Sequence, residues 1–195
     1  MKAAAAPFDR ATLETALGRL GELAAAAGKV IEISIYGGSA ILLTFDQRAA
    51  TRDVDAVFEN DREFVRRAAI KVAGEFGWSA DWINDGVKGF LSARDIQPEA
   101  KSLFRSYPAD DGAGLRVFVA SASYLFAMKC MAMRIGGAET SLDIDDIRLL
   151  GRALGVRSFD DAIVLVSRYY PEGRVSPKTQ FGLQEIFGTG DTKDR

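Results

Sequence analysis

The sequence predicts an α+β (mixed α/β) fold: a small mixed sheet flanked by helices, followed by a helical C-terminal part. Three observations carry this expectation. Apolar and polar residues alternate from Val30 to Tyr36, the period of a half-buried strand. Leu13, Leu17, Leu20, Ala24 and Ala27 recur at helical spacing. Strand-like runs give out after Ala120, beyond which only helix-like patterns occur. The expected organisation is an α/β core over 1–120, a helical part over 121–188 packed on it, and a flexible tail over 189–195.

Taken in order, Asp9 is placed to cap a helix running to about Ala27, with Phe8 and Leu13 as a hydrophobic staple and Gly28 as its stop. Ile31, Ile33 and Ile35 alternate with Glu32 and Ser34 in the first strand, which Gly37-Gly38 breaks. Ser39 to about Phe45 reads as a short helix and Arg52 to Phe58 as a second strand. Asn60, with Glu63 as in a capping box, starts a helix whose apolar stripe runs through Phe64, Val65, Ala68, Ala69, Val72, Ala73 and Phe76. A third strand is expected over Trp78–Ile83. The stretch 84–114 is the least regular, punctuated by Gly86, Gly89, Pro98, Pro108 and Gly112. Leu115–Ala120 is a further strand. Helices follow: from a Ser121 cap to about Arg134, ended by Gly136-Gly137; Asp143–Leu154; Ser158–Tyr170; and one with Pro177 in its first turn, ending before Gly188.

Composition narrows the chemistry. Among 195 residues, 48% are apolar and 27% charged, an ordinary globular balance. No apolar run approaches the ~20 residues of a membrane-spanning helix, and the Ala3–Ala6 run lacks the apolar stretch of a signal peptide. The single cysteine, Cys130, excludes an intrachain disulfide, fits a cytoplasmic setting, and reads as a small buried hydrophobe. The absence of histidine removes Ser-His-Asp and Cys-His catalysis and histidine-ligated zinc together. Catalysis is left to carboxylates, Lys, Arg, Tyr, Ser or an oxygen-held metal such as Mg²⁺ or Mn²⁺. The formal net charge of −2 provides no global basic field for nucleic acid. Trp78 and Trp82 read as core, and Tyr169-Tyr170 as packing beneath the last helix.

The informative segment is Ile35-Tyr36-Gly37-Gly38-Ser39-Ala40, followed by Thr51-Arg52-Asp53-Val54-Asp55-Ala56-Val57. A strand enters a two-glycine turn and a helix leaves it, offering unpaired N–H groups and a positive dipole end that suit a phosphate. The Ser39 hydroxyl is a further expected donor. Asp53 and Asp55, two apart on a strand, are expected on one face. Paired carboxylates repel unless a cation lies between them, and Mg²⁺ bridging to nucleotide phosphates is the natural candidate.

Gly-Gly-Ser-Ala, a short helix and Arg-Asp-Val-Asp resemble the signature of the polymerase-β-like nucleotidyltransferase superfamily, and most its small prokaryotic members: minimal nucleotidyltransferases and the toxin halves of AbiE-type toxin–antitoxin pairs. The resemblance implies that Gly37, Gly38 and Ser39, with Arg52, bind the nucleotide, and that Asp53 and Asp55 bind the divalent metal. A second stretch, Tyr124 to Arg134 and then Asp143-Ile144-Asp145-Asp146-Ile147, is similar to the Lys-x-x-Ala-x-Arg and Asp-x-x-Asp-Ile pattern of the toxin-like branch. It adds Lys129 as a catalytic candidate, with Asp145, Asp146 and Arg134 behind it. Lys129 lies in a helix apolar nearly all round, so its ammonium is expected to meet a cleft, Asp145 or Asp146, or a ligand phosphate. The activity implied is metal-dependent transfer of a nucleoside monophosphate from an NTP to a hydroxyl on RNA or protein, with a cognate antitoxin as partner. The alternative is a nucleotide-binding or protein-interaction module with reduced turnover. The superfamily's third carboxylate is expected on a later strand, yet Leu115–Val119 offers none; Asp81 and Asp85 are the substitutes at hand.

Overall fold

The computed structural model describes residues 7–45, 47–109, 112–133 and 140–188. Backbone contacts divide the chain into two compact units: Met1–Gly89 with Lys101–Ala120, and Phe90–Ala100 with Ser121–Arg195.

The first unit is a five-stranded mixed sheet with helices. Helix α1 (Arg10–Ala26) starts at Asp9, whose side chain accepts from Thr12 N at 2.8 Å. It leads to β1 (Val30–Ile35), α2 (Gly37–Thr44), β2 (Val54–Phe58), α3 (Arg62–Phe76), β3 (Ile83–Asn84), β4 (Lys101–Tyr107) and β5 (Gly114–Ala120). The strand order is β3-β2-β1-β5-β4. β1 runs antiparallel to β2 and parallel to β5; β2 and β3 are parallel, β4 and β5 antiparallel. Register sets Ile33 beside Phe58 and Val117, and Ile35 beside Ala56 and Val119. These side chains are buried, and α1 packs across β1, β4 and β5 with α3 beside it. Leu13, Leu17 and Leu20 of α1 are fully buried, each such side chain contributing ~1.5–3 kcal/mol. Glu32, Ser34 and Asp55 occupy the alternate positions and therefore the opposite face.

Several expected boundaries move, each for a local reason. Asn60 does not cap α3. Asp61 does, at φ 33°, accepting from Phe64 N, while Asn60 accepts from Glu32 N and donates to Val30 O, pinning the end of β2 to β1. The expected strand Trp78–Ile83 shrinks to Ile83–Asn84. Its tryptophans pack instead: Trp78 stacks on Phe8 with ring centroids 4.7 Å apart, and buried Trp82 donates Nε1–H to Ala69 O. Strand β4 emerges inside the stretch expected to be irregular; it is a half-exposed sheet edge, so its sequence lacks clean alternation.

The second unit consists of α4 (Ala122–Ala132), α5 (Thr140–Leu154), α6 (Phe159–Ser167) and α7 (Pro177–Phe187), with Ser121, Ser158 and Ser176 as side-chain caps. α4 packs against α5, α6 and α7. Phe90–Ala100 joins this unit through polar ties: Ser92 N donates to Tyr124 Oη at 2.8 Å and Tyr170 Oη donates to Phe90 O at 2.5 Å. Cys130 is buried, and burial pushes its thiol pKa well above the ordinary value. Among the described residues no helix is long and apolar enough to cross a membrane. The expected helix stop at Gly136-Gly137 and the tail over 189–195 lie outside the described residues.

Candidate nucleotide site at the glycine turn

The end of β1 and the start of α2 form a turn held from below. Tyr36 is extended, fully buried, and donates its N–H to Asp55 O at 2.9 Å, locking the ends of β1 and β2 together. It contributes no side-chain cap to α2, so the first-turn amides are left uncapped by it. Gly37 has φ +60°, a conformation that disfavours side chains, and the helix begins there, two residues before the expected Ser39.

The two glycines face opposite charges. A Cβ built on Gly37 would lie 2.6 Å from Asp55 Oδ2. A Cβ built on Gly38 would lie 2.5 Å from Arg48 Nη2 and 2.8 Å from Arg48 Cζ. The glycines thus make room for an acid on one side of the turn and a guanidinium on the next residue. Arg48 was not among the residues singled out from sequence. Its only signal there was a cation in the loop between the turn and the aspartates.

Ser39 differs from expectation. Its side chain is buried, and Oγ donates to Tyr36 O at 3.0 Å, bracing the turn rather than facing outward. Arg52 is exposed. Asp53 is exposed too and precedes the strand, which starts at Val54 rather than Arg52. The chain before it is held differently: Thr51 exchanges backbone hydrogen bonds with Phe8 at 2.8 and 3.0 Å, and Thr51 Oγ1 donates to Asp53 O at 3.1 Å. Asp55 is half-buried within β2.

The neighbour of β2 on the side away from β1 is β3, whereas Leu115–Val119 lies in β5, beyond β1. The residue paired with Asp55 on β3 is Asn84. It is an amide, and its Oδ1 accepts from Gly86 N at 2.8 Å. Of the two substitutes considered, Asp85 pairs with Arg66 and Lys88, and the Lys88 hydrogen bond holds its carboxyl below the ordinary value. Asp81 accepts from Ser79 Oγ. Among the described residues no group of three or more His, Cys, Asp or Glu side chains is placed to hold a metal ion.

Lys129 meets acids inside the helical unit. Its Nζ lies 2.8 Å from Asp146 Oδ2 and 3.1 Å from Asp143 Oδ1. Asp146 is 5% exposed, so the cluster is largely withdrawn from water. Asp145, the neighbouring candidate, is exposed on the same helix. Arg134 lies outside the described residues.

No family model matches the chain, and no curated protein matches it. A crystal structure of an antigenic nucleotidyltransferase-like protein from Paracoccidioides brasiliensis is similar to it at a TM-score of 0.48 and 15% identity, covering 94% of this chain and 100% of that one.

Proposed function

We propose that this chain transfers a nucleoside monophosphate from an NTP to a hydroxyl acceptor, using Mg²⁺ or Mn²⁺. The observation that carries the proposal is the Asp55 carboxylate lying against Gly37 at the start of α2. A carboxylate and the start of a helix at one turn supply what a metal-bound phosphate needs, an acid for the cation and N–H donors for the anion.

The donor set fits a hard cation. Asp53 and Asp55 supply carboxylate oxygens, and with only these two acids the remaining positions would fall to phosphate oxygens and water. Such an ion, when bound, draws negative charge from the α-phosphate and favours attack there. The residues of the chain do the rest. Amides of Gly37 and Gly38 hold the phosphate tail, and buried Ser39 keeps the turn in shape. The acceptor oxygen forms a bond to the α-phosphorus as the bond to the bridging oxygen breaks. Pyrophosphate leaves, and the hydroxyl proton passes to solvent or a nearby base. Positioning supplies most of the acceleration in such chemistry. Lys129, answered by Asp143 and Asp146, serves the helical unit in this reading. The acceptor proposed is a hydroxyl on RNA or protein, with a cognate antitoxin as partner; both rest on the motif resemblance.

A second reading, a nucleotide-binding module with reduced turnover, is favoured by Asn84, which sets an amide beside Asp55. One experiment separates the two. The protein is incubated with α-labelled NTPs, Mg²⁺, total RNA and total protein. Label transfer lost in Asp53→Ala and Asp55→Ala supports the enzyme. Mg²⁺-dependent nucleotide binding without transfer supports the module. No binding at all sinks both.

A further inference from the structure

We infer that Thr51 and Phe8 are positioning residues: a backbone clip between them, seated on an aromatic cluster, holds the exposed Asp53 carboxylate where it shares a metal ion with Asp55. The inference rests on the nucleotide reading above. β2 begins at Val54, so no sheet ladder fixes Asp53 itself. Its backbone is fixed from either side instead. On one side Thr51 exchanges two N–H to O hydrogen bonds with Phe8, at 2.8 and 3.0 Å, in a bridge outside the named strands. On the other side Val54 N donates to Trp82 O at 2.7 Å. Between these anchors Thr51 Oγ1 donates to Asp53 O at 3.1 Å, closing the loop across Arg52.

Both anchors belong to one cluster. The Phe8 ring stacks on Trp78, centroids 4.7 Å apart, and meets Trp82 edge-on at 6.5 Å. Trp78 and Trp82 lie 5.2 Å apart, and Trp82 is tied to α3 by its Nε1–H donated to Ala69 O at 3.0 Å. Stacked and edge-on rings are the favoured aromatic geometries, so the cluster is a firm base for both ends of the loop. Phe8, Thr51 and Trp82 are all buried. A buried hydroxyl is costly unless it is bonded, and valine would fill the same space with no such group to satisfy. Thr51 directs its hydroxyl donor to Asp53, which argues for a task beyond packing. Asp53 itself is exposed, so neighbouring side chains do not pack it into place and its backbone must. A metal ligand held loosely has to be ordered when the ion binds, which weakens binding, and groups that orient a ligand act on affinity for that reason.

The test is calorimetric titration of Mg²⁺ into wild type, Thr51→Val, Thr51→Ser and Phe8→Leu in the presence of each of the four NTPs, with Asp53→Asn alone and combined with Thr51→Val and with Phe8→Leu. A melting curve without ligand first confirms folding. Thr51→Val is expected to raise the Mg²⁺ needed for half-saturation by about 10-fold, and Thr51→Ser, which keeps the hydroxyl, to restore it. Phe8→Leu is expected to act in the same direction, and it carries the comparison if Thr51→Val does not fold. In the Asp53→Asn background neither substitution should change the Mg²⁺ requirement further. A merely structural role would lower the melting temperature and leave the Mg²⁺ requirement of the folded protein alone. That result, or a shift that persists in Asp53→Asn, overturns the positioning role while leaving nucleotide binding in place. Wild-type protein that binds no NTP with Mg²⁺ overturns the nucleotide reading itself.

Discussion

The carboxylate of Asp55 occupies the space that a side chain on Gly37 would need, with Oδ2 2.6 Å from the ideal Cβ position. Gly37 also sits at φ +60°. Gly37→Ala therefore meets two penalties, an unfavourable backbone conformation of ~1 kcal/mol and a steric conflict with Asp55. A double-mutant cycle separates them. Gly37→Ala is expected to lower stability in urea by ~1–3 kcal/mol, and by distinctly less when Asp55→Ala is already present. Equal losses in both backgrounds would show that Asp55 does not crowd Gly37.

Metal and nucleotide are expected to bind together rather than in turn. The described residues provide no cluster of three acids, so Mg²⁺ alone has too few protein ligands to bind tightly. Millimolar Mg²⁺ by itself should leave the melting temperature unchanged, and Mg-NTP at 100-fold its dissociation constant should stabilise by ~2.7 kcal/mol. Chelation should reverse the shift, and Asp55→Asn should abolish it. Strong stabilisation by Mg²⁺ alone would mean that the chain builds a complete metal site elsewhere.

Local signals made most of this fold legible from sequence. Ile31, Ile33 and Ile35 announced β1 through strict alternation, and Asp9, Ser121, Ser158 and Pro177 marked helix starts that the structure retains. What escaped depends on tertiary neighbours. Strand β4 is a half-exposed edge, so burial leaves little pattern on it. Asn60 looked like a helix cap because its other task, pinning β1, involves residues about thirty positions away. The same limit applies to the candidate site. The strand, the glycine turn and the strand position of Asp55 are legible because their spacing is short. Arg48 and Asn84 reach it through a loop and through strand order, which no spacing rule gives. The inward Ser39 hydroxyl shows the converse: a motif residue can be spent on the turn's own backbone.

Lys129 is expected to matter most for stability. Its ammonium lies between Asp143 and Asp146, and Asp146 is nearly fully buried. Lys129→Met would leave two acids close together with no cation between them, at a cost of about 3–5 kcal/mol. The exposed Arg67–Glu63 pair offers the contrast, since its removal should change stability by no more than ~0.5 kcal/mol. Urea melts of both variants decide the matter. A Lys129→Met protein of wild-type stability that binds Mg-NTP poorly would instead assign the ammonium to the ligand.

Glu59 gives the fold a specific sensitivity to acid. Burial, the largest single influence, raises its pKa, but hydrogen bonds from Lys101 Nζ at 2.6 Å and Ser34 Oγ at 2.5 Å outweigh it and hold the carboxyl below its ordinary value of 4.5. A group whose pKa is lower in the folded state than in the unfolded one stabilises the fold at pH values above the unfolded pKa, and that contribution disappears as pH falls through the folded pKa. The loss therefore begins near pH 4.5 and proceeds downward. Glu59→Gln keeps the shape but removes the titration, so its urea midpoint should start lower at pH 7 and fall less steeply between pH 5 and 3. Solvent-exposed Asp61, whose carboxyl is lowered chiefly by its hydrogen bond to Lys29, should contribute much less to that slope because solvent screens it. If wild type and Glu59→Gln lose stability in parallel across that range, the Glu59–Lys101–Ser34 cluster is not what links this fold to acid.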